Sequence, residues 1–153
     1  MSRIYHDGVS WNFTEYFDYI DEMANCMPPG LRDFAANVRS YSLHGKGTLH
    51  DSRVLSFMVS KSYADRFSGS RTFVEISLVD QLFEGKFVLS YDSVHDLFLK
   101  ESSLKGHAHA DVLRHEFSVL RPGLFEHQIV FDHEGEIRIQ FSDFSCEWAA
   151  FSS

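Results

Sequence analysis

FEHQIVFDHEGEIRIQF, residues 125–141, decides the fold. Phe125, His127, Ile129 and Phe131 alternate with Glu126, Gln128 and Val130, the period-two pattern of a strand with one buried face. Ile137, Ile139 and Phe141 repeat the pattern after Asp132-His133-Glu134-Gly135. The two runs therefore read as an antiparallel hairpin whose apolar rows meet across a turn. Glu136, Arg138 and Gln140 then project to the opposite, wetter face.

The same period extends backward along the chain. Phe87, Leu89 and Tyr91 alternate with Lys86, Val88 and Ser90 after the Glu84-Gly85 turn signal. Val74, Ile76 and Leu78 share one face of Thr72–Val79. Leu55, Phe57 and Val59 oppose Val54, Ser56 and Met58 over 53–60, and a further strand fits Val94–Leu99. Between these runs 65–70 reads as a turn, and 101–110 as an exposed loop.

Ahead of residue 41 the period changes to that of a helix. Phe13, Tyr16, Phe17, Ile20, Met23 or Ala24, and Met27 form one apolar stripe. Asn12 and Glu15 have the spacing of a capping box, with Trp11 and Tyr16 as the hydrophobic staple. Pro28-Pro29-Gly30 stops this helix, and a shorter one follows with Leu31, Phe34, Ala35 and Val38 turned inward. The order predicts a single α+β domain over 1–153: helical at 11–40, mainly β at 52–143, with a short apolar tail at 144–153. The architecture it implies is a helical hairpin packed on a twisted antiparallel sheet of about six to seven strands, curved or partly closed into a barrel. Nothing alternates as βαβ, and neither GxGxxG nor a P-loop pattern occurs.

Composition bounds the function. The chain has 153 residues, 44% hydrophobic, with 15 phenylalanines, enough for a substantial core. A net charge of −8 excludes modes that need a basic phosphate-binding surface, so no nucleic-acid partner is expected, while a basic protein partner is compatible. Cys26 and Cys146 lack CxxC spacing and read as reduced thiols. No apolar run reaches membrane length and the first residues have no hydrophobic targeting segment. These features imply a soluble, cytoplasmic protein, monomeric or homodimeric.

Several residues are candidates for chemistry. His107, His109 and Asp111 would share a face on an extended segment, with His115 four residues beyond. Imidazole and carboxylate together suit zinc or another divalent transition metal, so a metal-dependent hydrolase is one reading and a solvated polar loop the other. The string resembles part of the HxHxDH signature of metallo-β-lactamase-fold hydrolases, but Val112 stands where the last histidine is required and the chain is too short for that fold. His50-Asp51 and His95-Asp96 resemble the dipeptides of HD-type phosphohydrolases, yet they border β-like runs rather than helices, where the aspartates suit turns. His127 lies on an apolar face, as a neutral hydrogen-bonded core residue or as a pocket residue in the mouth of a curved sheet. No GxSxG elbow or cysteine–histidine pair marks a nucleophile. The aromatics Phe144, Trp148 and Phe151 either dock on the sheet or expose a patch to a partner.

Thr48-Leu49-His50-Asp51-Ser52-Arg53-Val54-Leu55-Ser56 resembles the opening of a group of small bacterial proteins in which an LHD(S/A) turn leads into an antiparallel sheet. Gly85-Lys86-Phe87-Val88-Leu89-Ser90-Tyr91, followed by Val94, fits their pattern of apolar strands after short turns. Some of these proteins are similar to immunity proteins of polymorphic toxin systems. The resemblance spans residues 48 to 143 and implies a protein-binding role; no catalytic residue transfers with it. The leading expectation is accordingly a non-catalytic protein-binding domain without a cofactor. Acidic residues would steer a basic partner and aromatics would anchor it, with Asp51, Asp132, Glu134, Glu136 and Trp148 as the candidate surface.

Overall fold

The computed structural model describes residues 2–101 and 110–151. The chain opens as a two-stranded ribbon, β1 (Tyr5–His6) against β2 (Trp11–Asn12). Helix α1 (Thr14–Met23) follows, then a 3₁₀ turn (Ala24–Cys26), α2 (Pro29–Ala35) and a second 3₁₀ turn (Val38–Tyr41). Eight strands complete the order: β3 (Arg53–Tyr63), β4 (Ser70–Val79), β5 (Gly85–Asp92), β6 (Asp96–Lys100), β7 (Val112–Arg121), β8 (Leu124–Phe131), β9 (Glu136–Phe141) and β10 (Asp143–Ala150). The class is α+β and sheet dominates it.

Among the described residues these strands form two four-stranded antiparallel sheets, ordered β10-β5-β4-β3 and β6-β9-β8-β7. A single bent ribbon joins them. β5 continues into β6 through Ser93–His95, and β9 into β10 through Ser142. β5 pairs with β10, and β6 with β9. The same two stretches of chain are therefore partners on both sides of the corner. Ser142 N–H donates to Asp92 C=O (3.1 Å) and His95 N–H to Gln140 C=O (2.7 Å), so backbone hydrogen bonds continue between the two stretches where the ladder turns. A second junction lies at the start of β3, where Asp51 N–H reaches Val112 C=O and Val112 N–H reaches Ser52 C=O. The expected single sheet of six or seven strands is thus two sheets sharing a corner, and it does not close into a barrel.

The core fills the angle between the sheets. Ile76, Leu78, Leu89 and Tyr91 come from one, Phe117, Phe125, Ile129, Ile139 and Phe141 from the other, and Tyr16, Ile20, Leu31 and Ala35 from the helices. Ile137, Ile139 and Phe141 stand directly across from Ile129, His127 and Phe125, the register the hairpin sequence predicts. Helix α2 lies close on β10: a Cβ on Gly30 would sit 2.9 Å from the Phe144 carbonyl oxygen. The Phe34 ring lies 5.2 Å from that of Phe144 and 5.9 Å from that of Phe117.

Five local readings differ from the structure. Asn12 does not cap α1; it belongs to β2 and its amide donates to Asp7 Oδ2, so the helix starts at Thr14 with no side-chain cap. The apolar stripe is broken after Met23 by the 3₁₀ turn, which replaces a long helical hairpin with two short helices. Pro29 starts α2 rather than merely stopping α1, because a missing N–H costs nothing at the first helical position. Val38 lies past the end of α2 and is 63% exposed, not inward. The segment read as a tail is strand β10, in register with β5 from Asp143↔Asp92 to Ala150↔Gly85.

Candidate functional site

Four polar groups are enclosed within the apolar core. The Tyr91 hydroxyl lies 2.5 Å from His127 Nδ1, His127 Nε2 lies 3.0 Å from His115 Nδ1, and His115 Nε2 lies 2.9 Å from the Ser40 carbonyl oxygen. Chemistry fixes the direction of every bond. A carbonyl only accepts, so His115 Nε2 carries a proton. A neutral His115 then accepts at Nδ1 from His127 Nε2–H, and His127 Nδ1 accepts from the tyrosine O–H. Both imidazoles are neutral because burial disfavours their cations. His115 is pushed down to about 4, and His127 lies well below its usual range, through burial first and the neighbouring His115 second. Burial likewise raises the Tyr91 hydroxyl well above its ordinary value.

Rings seal this chain. His127 stacks on Phe117 at 3.8 Å and His115 on Tyr41 at 4.3 Å, and His127 has no accessible surface. Beside them the Tyr16 and Tyr41 hydroxyls lie within hydrogen-bond reach of each other and of the Ala35 carbonyl; with one proton each, one hydroxyl donates to that carbonyl and the other to its neighbour's oxygen. His127 is therefore a satisfied core residue.

The open feature is on the other side of the same strands. β3, β4, β5 and β10 present a solvent-facing row made of Met58, Glu75, Ser90 and Ser145 in cross-strand register. The next row carries Ser60 opposite Phe73 and Asp92 opposite Asp143. Short serine side chains leave a trough of about 410 Å³ between the larger residues. Its floor includes Tyr91 and Phe144, whose rings point the other way, into the core. Arg71 donates to Asp92 from Nε (2.7 Å) and holds that carboxyl below the usual carboxylate range. Glu75 and Asp143 supply further negative charge. Acceptors beside the apolar side chains of Met58 and Phe73 are an arrangement that suits a cation with attached apolar surface.

The residues singled out from sequence are dispersed. Asp51 is half-exposed, with positive φ, beside His50 (3.5 Å) and Val112. Asp132 N–H donates to the Asp111 carbonyl, which places it near the same junction. Glu134 is exposed in the β8–β9 turn, facing Lys100 at 3.9 Å. Glu136 is committed to Arg138 (2.9 Å) and accepts from Gln128 (2.8 Å). Trp148 sits over Gly85 and its indole N–H donates to Asp80 (3.3 Å), leaving it 41% exposed. Of the metal candidates, His107 and His109 lie outside the described residues. The Asp111 carboxylate is paired with Arg53 at 2.7 Å, and both ring nitrogens of His115 are engaged in the core.

The trough residues Met58, Phe73, Glu75, Asp92 and Asp143 were missed. Their signal was present: they are the alternate positions to the buried rows of the strands. Sequence shows such a face but not which strands lie side by side. Comparison with known proteins places the chain in no group: no family model, no curated protein and no solved structure matches it.

Proposed function

We propose that this is a non-catalytic domain that binds another protein, and that the trough on the open face of the β10-β5-β4-β3 sheet receives a basic side chain of that partner. The observation that carries the reading is the trough itself. It combines acceptors (Glu75, Asp143 and the serines) with apolar walls (Met58 and Phe73) on a rigid sheet. A lysine or arginine has this dual character, with an aliphatic stem and a charged head. The net charge of −8 would speed encounter with a basic partner and make it sensitive to salt. Inhibition of an immunity-like kind would then be steric, by occupation of the partner's surface.

The test is capture of partners from native host lysate at low and moderate salt, with the wild-type chain and with Glu75→Lys/Asp143→Lys as baits. A stoichiometric basic protein retained by the wild type, released by salt and lost with the double reversal, is the expected result. Equal retention by the reversed bait would remove the trough from the reading. The companion reversal Glu134→Lys/Glu136→Lys should leave retention within about twofold, because rim charges change affinity little.

A further inference from the structure

We infer that the basic side chain entering the trough is an arginine, and that Arg71 is its built-in competitor: the partner's guanidinium takes the place that Arg71 now fills against Asp92 and Phe73. The inference rests on the proposed reading of the trough as a site for a basic side chain; it names which side chain, and which group must move. Arg71 lies near the start of β4, two residues before Phe73 and on the same open face. Its Nε donates to Asp92 Oδ1 at 2.7 Å and its Nη2 donates to Asp92 Oδ2, so one planar fork holds both carboxylate oxygens. The same guanidinium lies over the Phe73 ring, 5.0 Å from its centroid. Asp92 and Phe73 both line the trough, and Arg71 reaches in from beyond Phe73.

The chain thus displays, in its own side chain, the ligand chemistry that this end of the trough accepts. A forked contact with a carboxylate combined with stacking on a ring is a geometry that a guanidinium makes and an ammonium cannot. Charge shows that the site is only half satisfied. Asp92 and Asp143 stand directly opposite each other across β5 and β10, where like charges repel. One guanidinium therefore serves two carboxylates, and Glu75 adds a third on the neighbouring row, opposite Ser90. In the strand order β10-β5-β4, Asp92 stands between Arg71 and Asp143. Arg71 is tethered on the far side of Asp92, whereas an arginine arriving from above the sheet is free to bridge both aspartates.

Exposure makes the exchange inexpensive. The Arg71 side chain is 57% exposed and that of Asp92 28%, and ion pairs this open to water hold their partners weakly. An incoming guanidinium replaces each contact that Arg71 gives up and adds Asp143. A lysine reproduces neither the fork nor the stacking, so it leaves Arg71 seated and finds only Glu75 and Asp143. Arg71 thereby sets a threshold that favours arginine over lysine at this face.

Nuclear magnetic resonance of the full chain at low salt tests this with two probes, acetyl-Gly-Arg-Gly-amide and acetyl-Gly-Lys-Gly-amide. The arginine peptide should shift the backbone amides of Ser90 and Ser145 and move the Arg71 Nε–H resonance to the position of a solvent-exposed arginine; the lysine peptide should leave that resonance in place. Arg71→Gln, with circular dichroism unchanged, should bind the arginine peptide about fivefold more tightly and widen its advantage over the lysine peptide. Phe73→Leu in that background should remove the advantage. An arginine peptide that binds while the Arg71 resonance stays put overturns the exchange, and equal affinity for the two peptides overturns the choice of arginine; in both cases the trough remains a cation site. No shift at Ser90 and Ser145 with either peptide, in wild type and Arg71→Gln alike, overturns the inference together with the reading on which it rests.

Discussion

Lowering the pH from 7.5 to 5 should remove about 2 kcal/mol of stability through His115 and a further amount of the same sign through His127, two residues buried in the native state. A free histidine has a pKa near 6.5, whereas His115 is held to about 4 and His127 also lies far below its usual range. Both native values are depressed below the unfolded ones. Their contribution is therefore complete above 6.5 and declines as acid protonates the unfolded chain but not the folded one; for His115 the loss ends near pH 4. At pH 5 an unfolded histidine has gained about 2 kcal/mol from protonation while His115 has gained almost nothing, which gives the ~2 kcal/mol stated, and His127, depressed by the same burial, adds to it. The limiting slope is about 1.4 kcal/mol per pH unit per histidine. Against a typical domain stability of ~5–15 kcal/mol this is a large fraction.

The window excludes the carboxylates. Asp7, Asp65 and Asp92 are depressed by hydrogen bonds and, for Asp92, by Arg71, so their stabilisation is lost only as pH falls below about 5, toward the ordinary aspartate value and beyond. Urea unfolding at pH 7.5, 6.5, 5.75 and 5, followed by far-ultraviolet circular dichroism, measures the slope. In a His115→Leu/His127→Leu variant the slope should fall to a small residue, even though that variant is less stable throughout. A wild-type unfolding free energy that stays flat to pH 5 would falsify the assignment of two neutral, buried imidazoles.

Three further outcomes follow from single contacts. Tyr91→Phe removes the donor to His127 Nδ1 and should cost roughly 1–3 kcal/mol; nitrogen-15 shifts of the wild type should show the proton on Nε2, and a proton on Nδ1 would reverse the chain of donors. Glu116→Ala leaves the N–H groups of Arg3 and Ile4 without the carboxylate they now reach at 3.2 and 3.0 Å. Hydrogen exchange at Ile4 should accelerate by at least about tenfold, since a bond to a charged group contributes ~1.5–3 kcal/mol, and unchanged exchange would mean the N-terminal ribbon is held by other contacts. Gly85→Ala would place a Cβ 2.5 Å from the Ala149 carbonyl oxygen and 2.7 Å from the Trp148 ring; about 1–3 kcal/mol of overpacking should loosen the end of β10, read as a red shift in Trp148 emission, and an unaltered spectrum would contradict that close approach.

The strands with one buried face were legible because their alternation was uninterrupted. Val74-Ile76-Leu78, Phe87-Leu89-Tyr91 and the paired rows of β8 and β9 all bury the residues that their spacing selects. Strand β7 was not legible. His115 and Glu116 are adjacent, polar and buried, and register shifts near both ends break the period of two. β10 was hidden for another reason: Phe144, Cys146 and Trp148 alternate correctly, but the turn before it is the single residue Ser142, too short to signal a strand boundary. The trough had a visible face and an invisible partner order. Glu75 meets Ser90 in the β4–β5 hairpin, but Ser90 meets Ser145 only because β10 returns to the far side of β5, a pairing made across more than fifty residues of chain and not encoded in local periodicity.

Tyr91 and Phe144 connect the buried histidines to the open face. Their backbones floor the trough, and their rings lie 5.8 and 6.0 Å from His127. Protonating the pair requires this part of the sheet to open, and opening it destroys the trough's shape. A partner that binds the trough binds only the closed form, so by mass action it must oppose acid unfolding by RT ln(1 + [L]/Kd), about 2.7 kcal/mol at a hundredfold excess over Kd. That amount is comparable with the ~2 kcal/mol that His115 alone forfeits by pH 5. Unfolding curves with and without partner should consequently separate by the same increment at pH 7.5 and pH 5, provided affinity is unchanged between them. An increment that shrinks at the lower pH would mean that acid loosens the face before the chain unfolds, and would locate the first opening event at the Tyr91–His127 contact.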